Sequence, residues 1–76
     1  ANLAGVNLSA ANLEGVNLEL ANLAGANFEH ANLECANLRG ANLTGANLSW
    51  VNLHNANFTG AVFDNARGLP LYIEKG

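Results

Sequence analysis

Large apolar side chains recur along this chain every five residues, without a gap, from Leu3 to Phe63. Two residues before each of them stands Ala or Val. The position between is Asn in every unit except the last, where it is Val62. Written in fives, the chain runs ANLAG, VNLSA, ANLEG, VNLEL, ANLAG, ANFEH, ANLEC, ANLRG, ANLTG, ANLSW, VNLHN, ANFTG, AVFDN: thirteen units from Ala1 to Asn65. The fourth position mixes Ala, Ser, Glu, Arg, Thr, His and Asp, and the fifth is most often Gly. The pattern then stops, because Gly68 falls where the next Leu or Phe belongs.

A period of five excludes the ordinary elements. On an α-helix every fifth side chain steps round by about 140°, so the Leu residues would face all directions. On a straight strand, residues five apart point to opposite faces. The chain must therefore bend once per unit. Positions one and three lie two apart, so on a short extended side they share an inward apolar face. Position two points outward between them. Asn there can bond nearby backbone groups and support a turn. Gly at position five suits a corner that needs unusual backbone angles. Turns repeated in one sense wind the chain into a coil, and stacked coils form parallel ladders about 4.8 Å apart. The expected product is a solenoid with a continuous Leu/Phe core, Ala and Val filling the gaps, and Asn side chains bonding one another up their columns.

Unbroken tandem Ala-Asn-Leu-x-Gly units resemble the pentapeptide-repeat family, over residues 1–65. The resemblance implies an all-β fold, a right-handed quadrilateral parallel β-helix with four units per coil. Thirteen units then make just over three coils, about 16 Å tall at the ladder spacing. It also makes residues 20 apart neighbours on successive coils.

Composition narrows the function classes. The chain has 76 residues, enough for one small domain. Half of it is apolar, which argues against disorder. No apolar run approaches 18 residues, so no membrane span is expected. No basic segment is followed by an apolar one, so no leader is expected within the chain. One Cys excludes an internal disulfide. A net charge of −3 with three Lys+Arg argues against direct nucleic-acid binding.

The outward positions hold what chemistry there is. The 20-residue spacing sets Glu19 beside Arg39, and Glu14, Glu34 and His54 in one column. Glu34 and Arg39 are expected to be exposed, and Leu33 and Leu38 buried. His30 falls next to Trp50, with Ala10 one rung before them. An exposed Trp often marks a contact, so Trp50 and His30 are the candidate interaction residues. Leu20 reads as tolerated exposure at a corner. His30, His54, Cys35 and Glu34 lack ligand spacing, so no metal is expected. Cys35 lacks a base and an orienting group, so the expectation is no enzyme and no cofactor.

The ends differ. Residues 1–65 form the repeat array, and residues 66–76, with Leu69, Leu71, Tyr72 and Ile73, read as a C-terminal cap folded over the last coil, where Pro70 helps to stop further winding. The array begins at once with Ala1 and no Met, so the expectation is a processed or excised piece, or a chain whose first residues are disordered. Leu3, Leu8, Leu13 and Leu18 line a first coil with no cover in this sequence. The expectation there is a weak homodimer in which two N-terminal ends meet, or an upstream segment in that place. The function expected is a non-catalytic structural or protein-interaction module, with an unknown protein partner and a cytoplasmic location favoured over a lumenal or periplasmic one. The alternative implied by the resemblance is a DNA mimic that binds DNA gyrase. The short array and only six Asp+Glu argue against it.

Overall fold

The computed structural model describes residues 2–69. Each five-residue unit ends in a tight turn. The Val6 N–H donates to the Leu3 C=O at 3.1 Å, and the same bond recurs in all thirteen units, to Ala66 N–H and Phe63 C=O at 3.0 Å. The fifth residue is the third of that turn and has φ between +60° and +74° in every unit. This is the requirement shared by type II turns. Six of these corners are Gly. The other seven are Ala10, Leu20, His30, Cys35, Trp50, Asn55 and Asn65, in a backbone region that costs an L-residue about 1–2 kcal/mol.

Asn supports the turn at six of these seven corners; the seventh, Asn65, follows Val62 and lacks it. In all twelve Asn units the side-chain Oδ1 accepts the N–H two residues on, at 3.0–3.3 Å. The side chain thus satisfies a turn N–H that faces away from any neighbouring coil. Thr44 and Thr59 add their hydroxyls to the same oxygens, at 2.6 and 2.8 Å.

The coil closes after four units. Parallel bridges join Asn2 to Asn22, Asn7 to Asn27, and so on to Asn47 and Arg67, always 20 residues apart. Each side is so short that a rung holds one bridged residue rather than a long strand. Three bonds repeat along every rung. Leu3 N–H donates to Asn22 C=O (2.7 Å), Gly5 N–H to Ala24 C=O (2.8 Å), and Asn27 N–H to Val6 C=O (2.9 Å). The Asn columns are bonded on two of the four sides: Asn22 Nδ2 donates to Asn2 Oδ1 (3.3 Å), and Asn12, Asn32 and Asn52 form a second ladder at 3.4–3.5 Å.

The core is the inside of this square. Leu23, Phe28, Leu33, Leu38, Leu43 and Leu48 are fully enclosed, with Ala21, Ala26, Ala31, Ala36, Ala41 and Ala46 between them. Leu3, Leu8, Leu13 and Leu18 are only half-buried, since the described residues cover them on one face alone. In the last coil Phe58 and Phe63 meet edge to face, centroids 6.0 Å apart. Arg39 is exposed as expected. Glu34 is not: it is half-buried, because Glu14 and His54 stand one rung away on either side and shade it.

Among the described residues the winding continues at least to Arg67, two residues past the thirteenth unit. Arg67 N–H donates to Ala46 C=O (2.8 Å), and Arg67 C=O accepts from Leu48 N–H (2.7 Å). Gly68 then lies against Ser49 so closely that a Cβ would sit 2.5 Å from the Ser49 Cα. No Leu or Phe could occupy that position on this path. Leu69 is half-buried against the core. Pro70, Leu71, Tyr72 and Ile73, and with them most of the expected cap, lie outside the described residues.

Candidate functional site

Four columns of turn residues form the corners of the solenoid. Three contain Gly. The column Ala10, His30, Trp50 is the exception: all three are L-residues at φ of 60–61°. At Ala10 and His30 the backbone is fixed from the following coil. Ala10 N–H donates to Glu29 C=O at 2.8 Å and His30 N–H to Ser49 C=O at 2.9 Å. The rings of His30 and Trp50 stack with centroids 6.3 Å apart and planes 7° from parallel, an offset arrangement within the range of favourable stacking. Trp50 is 78% exposed, and His30 is exposed too. The 20-residue spacing brings these two expected residues together.

This corner presents a flat aromatic face on a rigid edge. Such a surface can take an apolar or cationic group of a partner by stacking and desolvation. Non-Gly residues at positive φ stand in every column, but only here does the column lack Gly altogether, and two of its three side chains are large rings. Sequence reasoning found the residues but not the strain, because the sign of φ at a non-Gly corner has no local signature.

Leu20, at the diagonally opposite corner, is 74% exposed. Its side chain lies over Gly40, where an added Cβ would meet Leu20 Cδ2 at 2.7 Å. Leu20 therefore uses the space that a missing side chain leaves one rung on. Glu19 and Arg39 occupy adjacent rungs, joined by Leu20 N–H to Arg39 C=O (2.8 Å). The Glu19 carboxylate accepts from the Asn37 side-chain amide at 3.5 Å. Cys35 is an exposed free thiol whose backbone N–H donates to the His54 C=O at 3.0 Å. Among the described residues, no three His, Cys, Asp or Glu side chains gather as a metal site. No helix of the described residues is long and apolar enough to cross a membrane.

Comparison with known proteins matches this geometry. The family model for pentapeptide repeats finds eight copies, over residues 1–40 and 31–67. A pentapeptide-repeat protein from the Arabidopsis thaliana thylakoid lumen superposes with a TM-score of 0.84 at 34% identity, over 86% of this chain and 45% of that one. One from Nostoc PCC 7120 superposes with a TM-score of 0.62 at 31% identity, over 96% of this chain and 72% of that one. The chain thus spans less than half the length of the Arabidopsis protein. No curated protein matches it in sequence.

Proposed function

Because the chain belongs to the pentapeptide-repeat family, whose fold is a right-handed quadrilateral β-helix, we propose that it is a non-catalytic protein-interaction module working through the His30–Trp50 corner. One observation carries this: an exposed, stacked aromatic pair on the glycine-free corner column, its two rungs joined by His30 N–H to Ser49 C=O. A rigid contact loses little conformational entropy on binding. The Arabidopsis address, the thylakoid lumen, belongs to that protein.

Trp50 is the only Trp in the chain, so its fluorescence reports on this corner alone. Peptides selected against the chain from a displayed library should shift that emission and lose about tenfold or more in affinity for Trp50→Ala. Binders indifferent to both Trp50→Ala and His30→Ala would remove the corner from the proposal.

We further read the array as just over three coils closed by residues 66–76. Support comes from Leu69, which already packs on the core. Deleting residues 69–76 should lower the melting temperature and promote association, because the last apolar layer loses its cover. Unchanged melting and solution size would refute the cap.

A further inference from the structure

The side of the solenoid that runs into the His30–Trp50 corner consists of residues 6–10, 26–30 and 46–50. Its backbone is engaged in the ladder. Asn27 N–H donates to Val6 C=O and Asn47 N–H to Ala26 C=O (both 2.9 Å), each toward the preceding coil, and Phe28 N–H donates to Asn47 C=O (2.8 Å). Its apolar side chains are engaged in the core, since Ala26, Phe28, Ala46 and Leu48 are fully enclosed. The carboxamides of Asn27 and Asn47 are engaged at one end only. Each Oδ1 accepts a turn N–H, from Glu29 at 3.0 Å and from Ser49 at 3.1 Å, which fixes the group close to His30 and Trp50. On each of the other three sides an Asn amide nitrogen also donates to a side chain, at 3.3–3.5 Å. Among the described residues, none does so on this side. Two oriented NH2 groups, each with two N–H donors, therefore stand beside an exposed indole.

We infer that the partner segment at this corner is proline-rich and in the polyproline II conformation. The inference rests on the corner being a protein contact, and adds what the contact recognises. The surface leaves few other ways to hold a peptide. A partner strand needs free backbone N–H and C=O groups, and those of Asn27 and Asn47 are bonded along the solenoid axis. An amphipathic helix needs an apolar groove, and the apolar side chains of this side are enclosed. A phosphorylated peptide needs a cluster of Arg, and among the described residues this side has Arg67 alone. What the side does offer is hydrogen-bond donors next to a flat aromatic ring. A polyproline II chain is the complement of that. It has no internal hydrogen bonds, so its carbonyl groups are free to accept. Its proline residues have no N–H to leave unpaired. Three residues per turn spread rings and carbonyls around its axis. A segment crossing the corner can thus set a pyrrolidine ring on Trp50 while nearby carbonyls meet the Asn47 and Asn27 amides. Its stiff backbone has little conformational entropy to lose on docking.

Fluorescence anisotropy of a labelled, end-capped decaproline peptide, titrated with the whole chain to about 1 mM to cover weak binding, tests this. An end-capped Gly-Ser peptide of the same length carries as many carbonyls without the rings or the stiffness. The proline peptide should bind the parent, and the Gly-Ser peptide should not. Trp50→Ala should weaken binding about tenfold or more. Asn47→Asp keeps an oxygen for the Ser49 N–H but puts an acceptor where both donors were, and should weaken binding about tenfold as well. Asn57→Asp makes the same change on the opposite side of the square and should follow the parent, which separates lost recognition from added charge. Equal binding of the Gly-Ser peptide overturns the inference, and so does undiminished binding by Asn47→Asp. A parent that ignores the proline peptide, while peptides selected from a library still depend on Trp50, overturns it too and leaves the corner as a contact for other sequences. If no peptide binds through Trp50, the reading of the corner falls with it.

Discussion

Leu38→Ala is expected to lower the unfolding free energy by about 2–5 kcal/mol, in the upper half of that range. Leu38 has no exposed surface, and Ala36 beside it is equally enclosed. The cost of such a truncation depends on how far the surroundings can close over the cavity. Here they cannot close far. The backbone around Leu38 is held from both coils, by Leu38 N–H to Asn57 C=O (2.7 Å) and Asn37 N–H to Val16 C=O (2.8 Å). The turn bond from Ala41 N–H to Leu38 C=O (3.0 Å) holds the third direction. Leu18, one rung earlier in the same column, is only half-buried, so Leu18→Ala should cost distinctly less. Urea unfolding of both variants measures the difference. Equal losses would mean that the core is not layered as described.

The inward register was legible because a period of five leaves only one arrangement in which Leu3 to Phe63 share a side. The turn role of Asn was legible for a related reason: a short side chain placed two residues before a bend reaches the N–H of the bend itself. The number of sides was different. Bending once per unit is compatible with three or four sides, and the family resemblance decided it. The bridges from Asn2 to Asn22 onward now show the same 20-residue step. Once that step was in hand, the meeting of His30 and Trp50 followed by adding 20.

What stayed hidden depends on neighbours rather than on local preference. Local propensity would place Gly at every corner, yet seven corners do without it. Four of the non-Gly corners, Ala10, Leu20, His30 and Cys35, are held by a bond that forms only once the coils stack, such as Cys35 N–H to His54 C=O. Tertiary hydrogen bonding there outweighs a conformational cost that sequence alone cannot assign to one residue. The shading of Glu34 has the same origin. Its column partners were known, but the exposure they remove depends on how closely the rungs pack.

The direction of the ladder leads to the second large effect. Asn37→Pro should destabilise the chain by about 3 kcal/mol or more, the scale of a proline set into a hydrogen-bonded interior. It removes the N–H that donates to Val16 C=O (2.8 Å) and the side-chain oxygen that accepts from Arg39 N–H (3.1 Å). It also puts the proline ring where the preceding coil's backbone approaches, a site that a central ladder does not tolerate. Asn17→Pro makes the same substitution one rung earlier in the same column. There the N–H has no partner among the described residues, so the loss is confined to the turn bond from Glu19 N–H (3.0 Å), about 1 kcal/mol. Thermal or urea unfolding at low micromolar concentration keeps association out of the comparison. A large gap between the two prolines is expected. Equal destabilisation at both positions would show that the position-two N–H groups do not all point toward the preceding coil.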